Sequence, residues 1–137
     1  MLCYLKHARG DSMIIAIGTD IVEIARIRQV LDRQGQRFVE RILSPSELVQ
    51  YQSKSQAAAF FAKRFAAKEA VAKALGTGIG HGVSFQDMVI SNDEKGAPCV
   101  DLFGGAAEVM KSLGGKRVLL SLSDERDYAV AYVVICE

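Results

Sequence analysis

Apolar positions change their period along the chain, and the changes mark out the elements. Residues 13–17 read MIIAI, a continuous β-rich run closed by Gly18, which predicts a buried strand. Val22, Ile24, Ile27, Val30 and Leu31 then recur with mostly helical spacing, arginines lying between them, until Gly35 interrupts. A short helix over 37–43 follows. Ser44-Pro45-Ser46-Glu47 combines an N-cap serine, proline at N1 and glutamate at N3, a capping box that starts a helix through about Gln52. The segment 56–75 is the strongest helix, alanine-rich and free of glycine and proline, with Gly76 just past its end. After a glycine-rich loop over 76–82 come strands at 86–91 and 99–102, a helix at 106–113, and strands at 117–123 and 128–136. Helices and mostly hairpin-linked strands in one short chain predict an α+β domain, an antiparallel-type sheet with helices packed on one face.

Composition narrows the class. A chain of 137 residues, 50% hydrophobic and 24% charged, makes one domain with a real core and excludes a disordered polymer. A net charge of +1 gives no sign of a general nucleic-acid binder. The apolar stretch at 128–136 is far too short to span a membrane. Cys3, Cys99 and Cys136 are scattered and form no CxxC, which reads as reduced thiols in a cytoplasm; His7 and His81 fit no zinc spacing. Residues 1–12 are polar, patternless and without a signal-peptide core, so they are expected to form a loosely attached arm before a single domain at 13–137.

Candidate chemistry sits mainly on the long helix. At about 100° per residue, Phe61, Phe65, Val71, Ala72 and Leu75 share a core arc. Ala58, Ala62 and Ala66 fall on another side with Glu69 and Lys73, one turn apart. Small neighbours leave room for a ligand, yet the same two charges also fit an ordinary surface pair. Arg64 and Lys68 project toward the phenylalanine arc and must snorkel, pair or meet an anion. Asp20, after the first strand, is either a Mg²⁺ ligand or the N-cap of a helix beginning near Val22. The loop Gly76-Thr77-Gly78-Ile79-Gly80-His81-Gly82 is neither a P-loop nor a dinucleotide fingerprint, though its backbone N–H groups can face a phosphate. Arg26, Arg33, Arg37 and Arg41 form a basic stripe if the first two helices share a face, suited to solvent or to an acidic partner.

These segments together resemble the holo-[acyl-carrier-protein] synthases. The opening motif is Ile17-Gly18-Thr19-Asp20-Ile21-Val22-Glu23-Ile24-Ala25-Arg26-Ile27. The second signature is Arg64-Phe65-Ala66-Ala67-Lys68-Glu69-Ala70, with Lys73-Ala74 and Gly76-Thr77-Gly78-Ile79-Gly80 behind it. Arg37-Phe38, Arg41-Ile42-Leu43-Ser44, Glu47-Leu48, Ser84-Phe85-Gln86-Asp87, Gly96-Ala97-Pro98, Ser121-Leu122-Ser123-Asp124 and Tyr128-Ala129 fit in order. Many members carry histidines before and directly after the Ser-x-Ser segment; here Leu119 and Asp124 stand at those positions, so neither supplies a histidine base.

The resemblance implies a small 4′-phosphopantetheinyl transferase fold assembled as a homotrimer, with sites between subunits. It implies transfer of the 4′-phosphopantetheine of coenzyme A to a serine of apo acyl carrier protein in fatty acid biosynthesis, releasing adenosine 3′,5′-bisphosphate, with no nucleic-acid or membrane partner. Asp20 and Glu69 match metal-ligand positions for Mg²⁺. Glu69 and Lys73 match catalytic positions, Lys73 serving the leaving phosphate and the base being a metal-bound water or Glu69. Arg64, Lys68, Gly76, Thr77, Gly78 and Gly80 match positions around coenzyme A. Arg26 matches a carrier-protein contact, and the stripe adds Arg37 and Arg41. A magnesium-dependent hydrolase of nucleotide pyrophosphates would use the same carboxylates and lysine with water as nucleophile.

Overall fold

The computed structural model describes residues 13–137, and the expected arm at 1–12 lies outside the described residues. Strand β1 (Ile14–Glu23) is followed by helices α1 (Ile24–Gln34), α2 (Gln36–Ile42), α3 (Pro45–Ser53) and α4 (Ala57–Ala74). A 3₁₀ turn (Phe85–Asp87) leads into β2 (Met88–Asn92) and β3 (Pro98–Leu102), and then come α5 (Gly104–Ser112), β4 (Arg117–Asp124) and β5 (Tyr128–Cys136). The strands form two antiparallel sheets, β1-β5-β4 and β2-β3, where one sheet was expected. The α+β class stands. The capping box at Ser44 is present, Ser44 Oγ accepting from Glu47 N and Glu47 accepting from Ser44 N.

α4 packs against β1 and β5. Along β5 the residues Ala129, Ala131, Val133 and Ile135 are buried, while Tyr128 and Tyr132 of the opposite parity are exposed. Tyr132 pairs with Thr19 and Tyr128 with Glu23, so Ile17 and Ile21, also exposed, lie on the same open face. α4 is shared by two apolar clusters. One joins it to the three-stranded sheet and α5; the other joins it to α1, α2 and Phe85. Ala62 and Ala66 are fully buried in these clusters, which corrects the expectation that the alanine stripe leaves space for a ligand.

The main departure from the expected elements is β1. It does not close at Gly18 but pairs with β5 as far as Glu23↔Tyr128. Gly18 marks instead the crossing of β1 over α4. A Cβ there would lie 2.1 Å from the Ala70 carbonyl oxygen and 2.8 Å from Ala74 N, so only glycine lets the two backbones meet. α1 consequently starts at Ile24, with Glu23 as its N-cap, and Asp20 lies inside the strand. Asp20 is therefore not a helix cap. Cys136 is a free buried thiol, whereas Cys99 is disulfide-bonded, a correction to the expectation of three reduced thiols.

Candidate active site

The close crossing at Gly18 brings Asp20 of β1 against the last turns of α4. Lys73 Nζ donates to Asp20 Oδ1 at 2.9 Å and to the Thr19 carbonyl at 3.0 Å. The alternative of an ordinary Glu69–Lys73 surface pair gives way to a bridge from Lys73 across to β1. Asp20 is mostly buried, and its Oδ2 is buried with no hydrogen-bond partner. Glu69 is half-buried beside them. Burial holds its carboxyl above the ordinary range, the Asp20 charge pushes the same way, and Lys73 opposes both. A carboxyl whose charge is disfavoured by burial and by Asp20, next to an unsatisfied buried carboxylate oxygen, makes a place that a cation would suit.

Among the described residues no group of three or more His, Cys, Asp and Glu side chains could hold a metal. The Asp20–Glu69 pair fits Mg²⁺ nevertheless. This ion takes only one or two protein carboxylates when substrate phosphates and water complete its shell, and Asp20 Oδ2 is a hard oxygen without a partner.

The other expected ligand contacts divide. Lys68 is fully buried, its Nζ donating to Glu47 Oε1 at 2.7 Å and to the Ile42 carbonyl at 2.6 Å. Burial pulls its ammonium below the ordinary lysine range, and Glu47 opposes the shift. Glu47 also accepts from Ser44 N at 2.7 Å and Ile90 N at 2.8 Å. Lys68 therefore ties α4 to α2, α3 and β2, and its assignment to coenzyme A phosphates does not match this geometry. The sequence pattern marked Glu47 only as a capping residue. Nothing in the spacing shows that Lys68, on another helix, completes it.

Arg64 is nearly buried but opens on a groove. Its guanidinium sits 4.8 Å from the centre of the Phe60 ring and donates to Gln50 Oε1 and Asn92 Oδ1, each at 3.1 Å, while its Nε is buried without a partner. Burial lowers its pKa, with Glu47 opposing. Lys54 and Lys63 line the same groove of about 340 Å³. Lys63 pairs with Asp124 at 3.1 Å, so the residue standing where a histidine is common holds a lysine. Sequence reasoning missed Lys54 and Lys63, because the groove exists only once the β2-β3 hairpin folds against α4.

The glycine loop contributes shape more than donors. Gly76 N donates to the Lys73 carbonyl, Gly78 N to that of Ala72 and Gly80 N to that of Val83; Thr77 Oγ1 donates to the Gly78 carbonyl. Those three N–H groups close the loop on itself and on α4, so they do not face a phosphate. On the α1–α2 surface, Arg33, Arg37 and Arg41 converge with Gln34 and Phe38 on a groove of about 610 Å³. The basic stripe is therefore real for these three arginines. Arg26 is exposed on α1 but does not line the groove.

Comparison with known proteins identifies the family. Residues 16–133 match the family described as the 4′-phosphopantetheinyl transferase superfamily. The holo-[acyl-carrier-protein] synthase of Shewanella amazonensis is 57% identical over 123 residues, covering 90% of this chain and 98% of the relative. The crystal structure of holo-[acyl-carrier-protein] synthase from Neisseria meningitidis superposes with a TM-score of 0.84 at 44% identity, over 90% of this chain and 98% of that one. The Helicobacter pylori holo-[acyl-carrier-protein] synthase in complex with coenzyme A superposes with a TM-score of 0.76 at 41% identity, over 87% of this chain and 98% of that one. A match that spans the domain at this identity shows that the chain belongs to the holo-[acyl-carrier-protein] synthases of the 4′-phosphopantetheinyl transferase superfamily.

Proposed function

We propose that this protein transfers the 4′-phosphopantetheine group of coenzyme A to a serine of apo acyl carrier protein, releasing adenosine 3′,5′-bisphosphate, in the fatty acid biosynthesis of the cytoplasm. The observation that carries the reading is the convergence of Asp20, Glu69 and Lys73, with Asp20 Oδ2 left unpartnered. In this reading Asp20 and Glu69 hold Mg²⁺, which, when bound, offsets the pyrophosphate charge and polarises the phosphorus under attack.

The chain's own residues do the rest. Glu69, or a water in the same site, would accept the proton of the carrier serine as Oγ forms its bond to phosphorus. The phosphorus–oxygen bond to the adenosine bisphosphate breaks, and Lys73 balances charge on the departing phosphate or gives it a proton. Arg64, with Lys54 and Lys63 beside it, supplies a cationic groove for a phosphate of coenzyme A. Arg33, Arg37 and Arg41 give an acidic carrier a surface of opposite charge, and Arg26 extends it along α1.

A homotrimer is part of the same proposal. The open sheet face carries Ile17, Ile21, Tyr128 and Tyr132, exposed by 46–62%, an apolar surface of the kind that a second copy covers. Analytical ultracentrifugation that finds only monomer at micromolar concentration would remove that element.

Mass spectrometry of apo carrier protein incubated with this chain, coenzyme A and Mg²⁺ tests the function. The carrier should gain one phosphopantetheine group, and coenzyme A should stay intact when the carrier is omitted. Cleavage of coenzyme A without carrier would favour the hydrolase instead.

A further inference from the structure

We infer that Gln86 is a positioning residue for carrier-protein docking: its side-chain amide clamps the end of α2 and so sets where the arginine groove lies relative to Asp20, Glu69 and Lys73. The inference rests on the reading that this groove receives the carrier.

α2 has seven residues, too short to hold its shape alone. The last carbonyls of a helix lack intrahelical partners, and at this end other elements supply them. Gln86 Nε2 donates to the carbonyls of Glu40 at 2.7 Å and Leu43 at 2.9 Å, with a longer contact of 3.3 Å to that of Arg41. Lys68 of α4 takes the Ile42 carbonyl between them, and Leu43 N takes that of Val39. Beneath, Phe38 of α2 packs on Phe61 and Phe65 of α4, ring centres 5.2 and 6.2 Å apart, and Phe65 stacks on Phe85 at 5.6 Å. Phe85 thus enters the core behind α4 while its neighbour Gln86 turns outward to grip α2.

The consequence is mechanical. α2 carries Arg37 and Arg41, and α4 carries Glu69 and Lys73. A carrier held by the arginines presents its serine wherever α2 sits. Reaction rate is sensitive to misplacement of about 1 Å between reacting groups. The Gln86 amide is neutral and spent on backbone, so its loss leaves the charge of the docking surface intact. It should disturb the fit of the docked carrier but not long-range attraction.

Gln86→Met keeps length and neutrality and removes the donors. We expect KM for carrier protein to rise about five-fold. Turnover at saturating carrier should also fall, by about five-fold, because the docked serine is misplaced, while KM for coenzyme A should stay within about two-fold. The salt dependence of kcat/KM should match that of the parent, because no charge has changed. Arg41→Glu, measured alongside, should raise the carrier KM and flatten that salt dependence. If Arg41→Glu leaves carrier KM unchanged, the docking reading itself fails, and the inference with it. If Arg41→Glu acts and Gln86→Met does not, the clamp alone is refuted. Equal losses in both KM values and in turnover for Gln86→Met, with a large fall in melting temperature, would make Gln86 merely structural and overturn the positioning role.

Discussion

Replacing Lys68 with methionine separates a structural ammonium from a ligand-binding one. Methionine keeps the bulk of the lysine stem and removes the charge. Glu47, fully buried, would lose its 2.7 Å partner and keep only the N–H groups of Ser44 and Ile90; the Ile42 carbonyl would lose its 2.6 Å donor. Breaking a buried pair by removing one partner costs about 3–5 kcal/mol, because the remaining charge stays desolvated. Two strong N–H bonds still support the carboxylate, so the lower end, about 3 kcal/mol, is expected. With an unfolding entropy of about 2.1 cal/mol/K per residue, a chain of this length should melt about 10 °C lower. Urea titration at neutral pH should show a reduced midpoint at unchanged slope. Glu47→Gln combined with Lys68→Met should recover part of the loss, since no isolated charge remains. At a temperature where the variant is folded, KM for coenzyme A should match the parent. A stability change below about 1 kcal/mol together with weakened coenzyme A binding would refute the burial argument and return Lys68 to the ligand.

Four further outcomes follow from the Asp20 cluster. Asp20→Asn keeps an oxygen for Lys73 and should stay folded, yet turn over poorly with partial recovery at high Mg²⁺; near-normal activity at low Mg²⁺ would exclude it as a ligand. Gly18→Ala should destabilise the fold by about 1–3 kcal/mol and weaken the metal pair, since the added Cβ must push β1 away from α4; an unchanged melting curve would contradict the close crossing. Because the folded Glu69 carboxyl holds its proton above the ordinary range, its contribution to stability is present at low pH and lost as pH rises through its folded pKa. Without metal at neutral pH, Glu69→Gln should therefore raise the melting temperature. In the parent, Mg²⁺ affinity, read by calorimetry, should fall as the pH drops toward that pKa; a flat profile would remove Glu69 from the site.

How much of this was legible in the sequence depends on the range of the interaction. The Ser44 capping box and the long helix ending before Gly76 are local, set by residues within four positions of one another, and both are present as read. The β1 boundary was misread because Gly18 looks the same in sequence whether it ends a strand or admits a neighbouring helix; only α4, some fifty residues away, decides. Glu69 and Lys73 stand one turn apart on α4, but the partner of Lys73 lies on β1. Lys68 shows the same limit in reverse. A lysine aimed at aromatic residues looks like an anion contact until Glu47 arrives from another helix to neutralise it inside the core.

The arrangement has a logic that ties these misreadings together. α4 is gripped on one side by β1 through Gly18 and on the other by Glu47 through Lys68. Lys68 and Glu69 are adjacent, so the buried ammonium and the raised carboxyl point to different sides of one helix turn. An α-helix cannot rotate to move one without moving the other. The Lys68–Glu47 bridge therefore sets the angle at which Glu69 faces Asp20, and the glycine crossing sets the depth. A site built on two such constraints keeps the Asp20 charge beside Glu69, where it disfavours the Glu69 carboxylate, because neither side chain's element can move away to relieve the repulsion. That residual repulsion is what a divalent cation would remove, and it is stored where Asp20 Oδ2 is left without a protein partner.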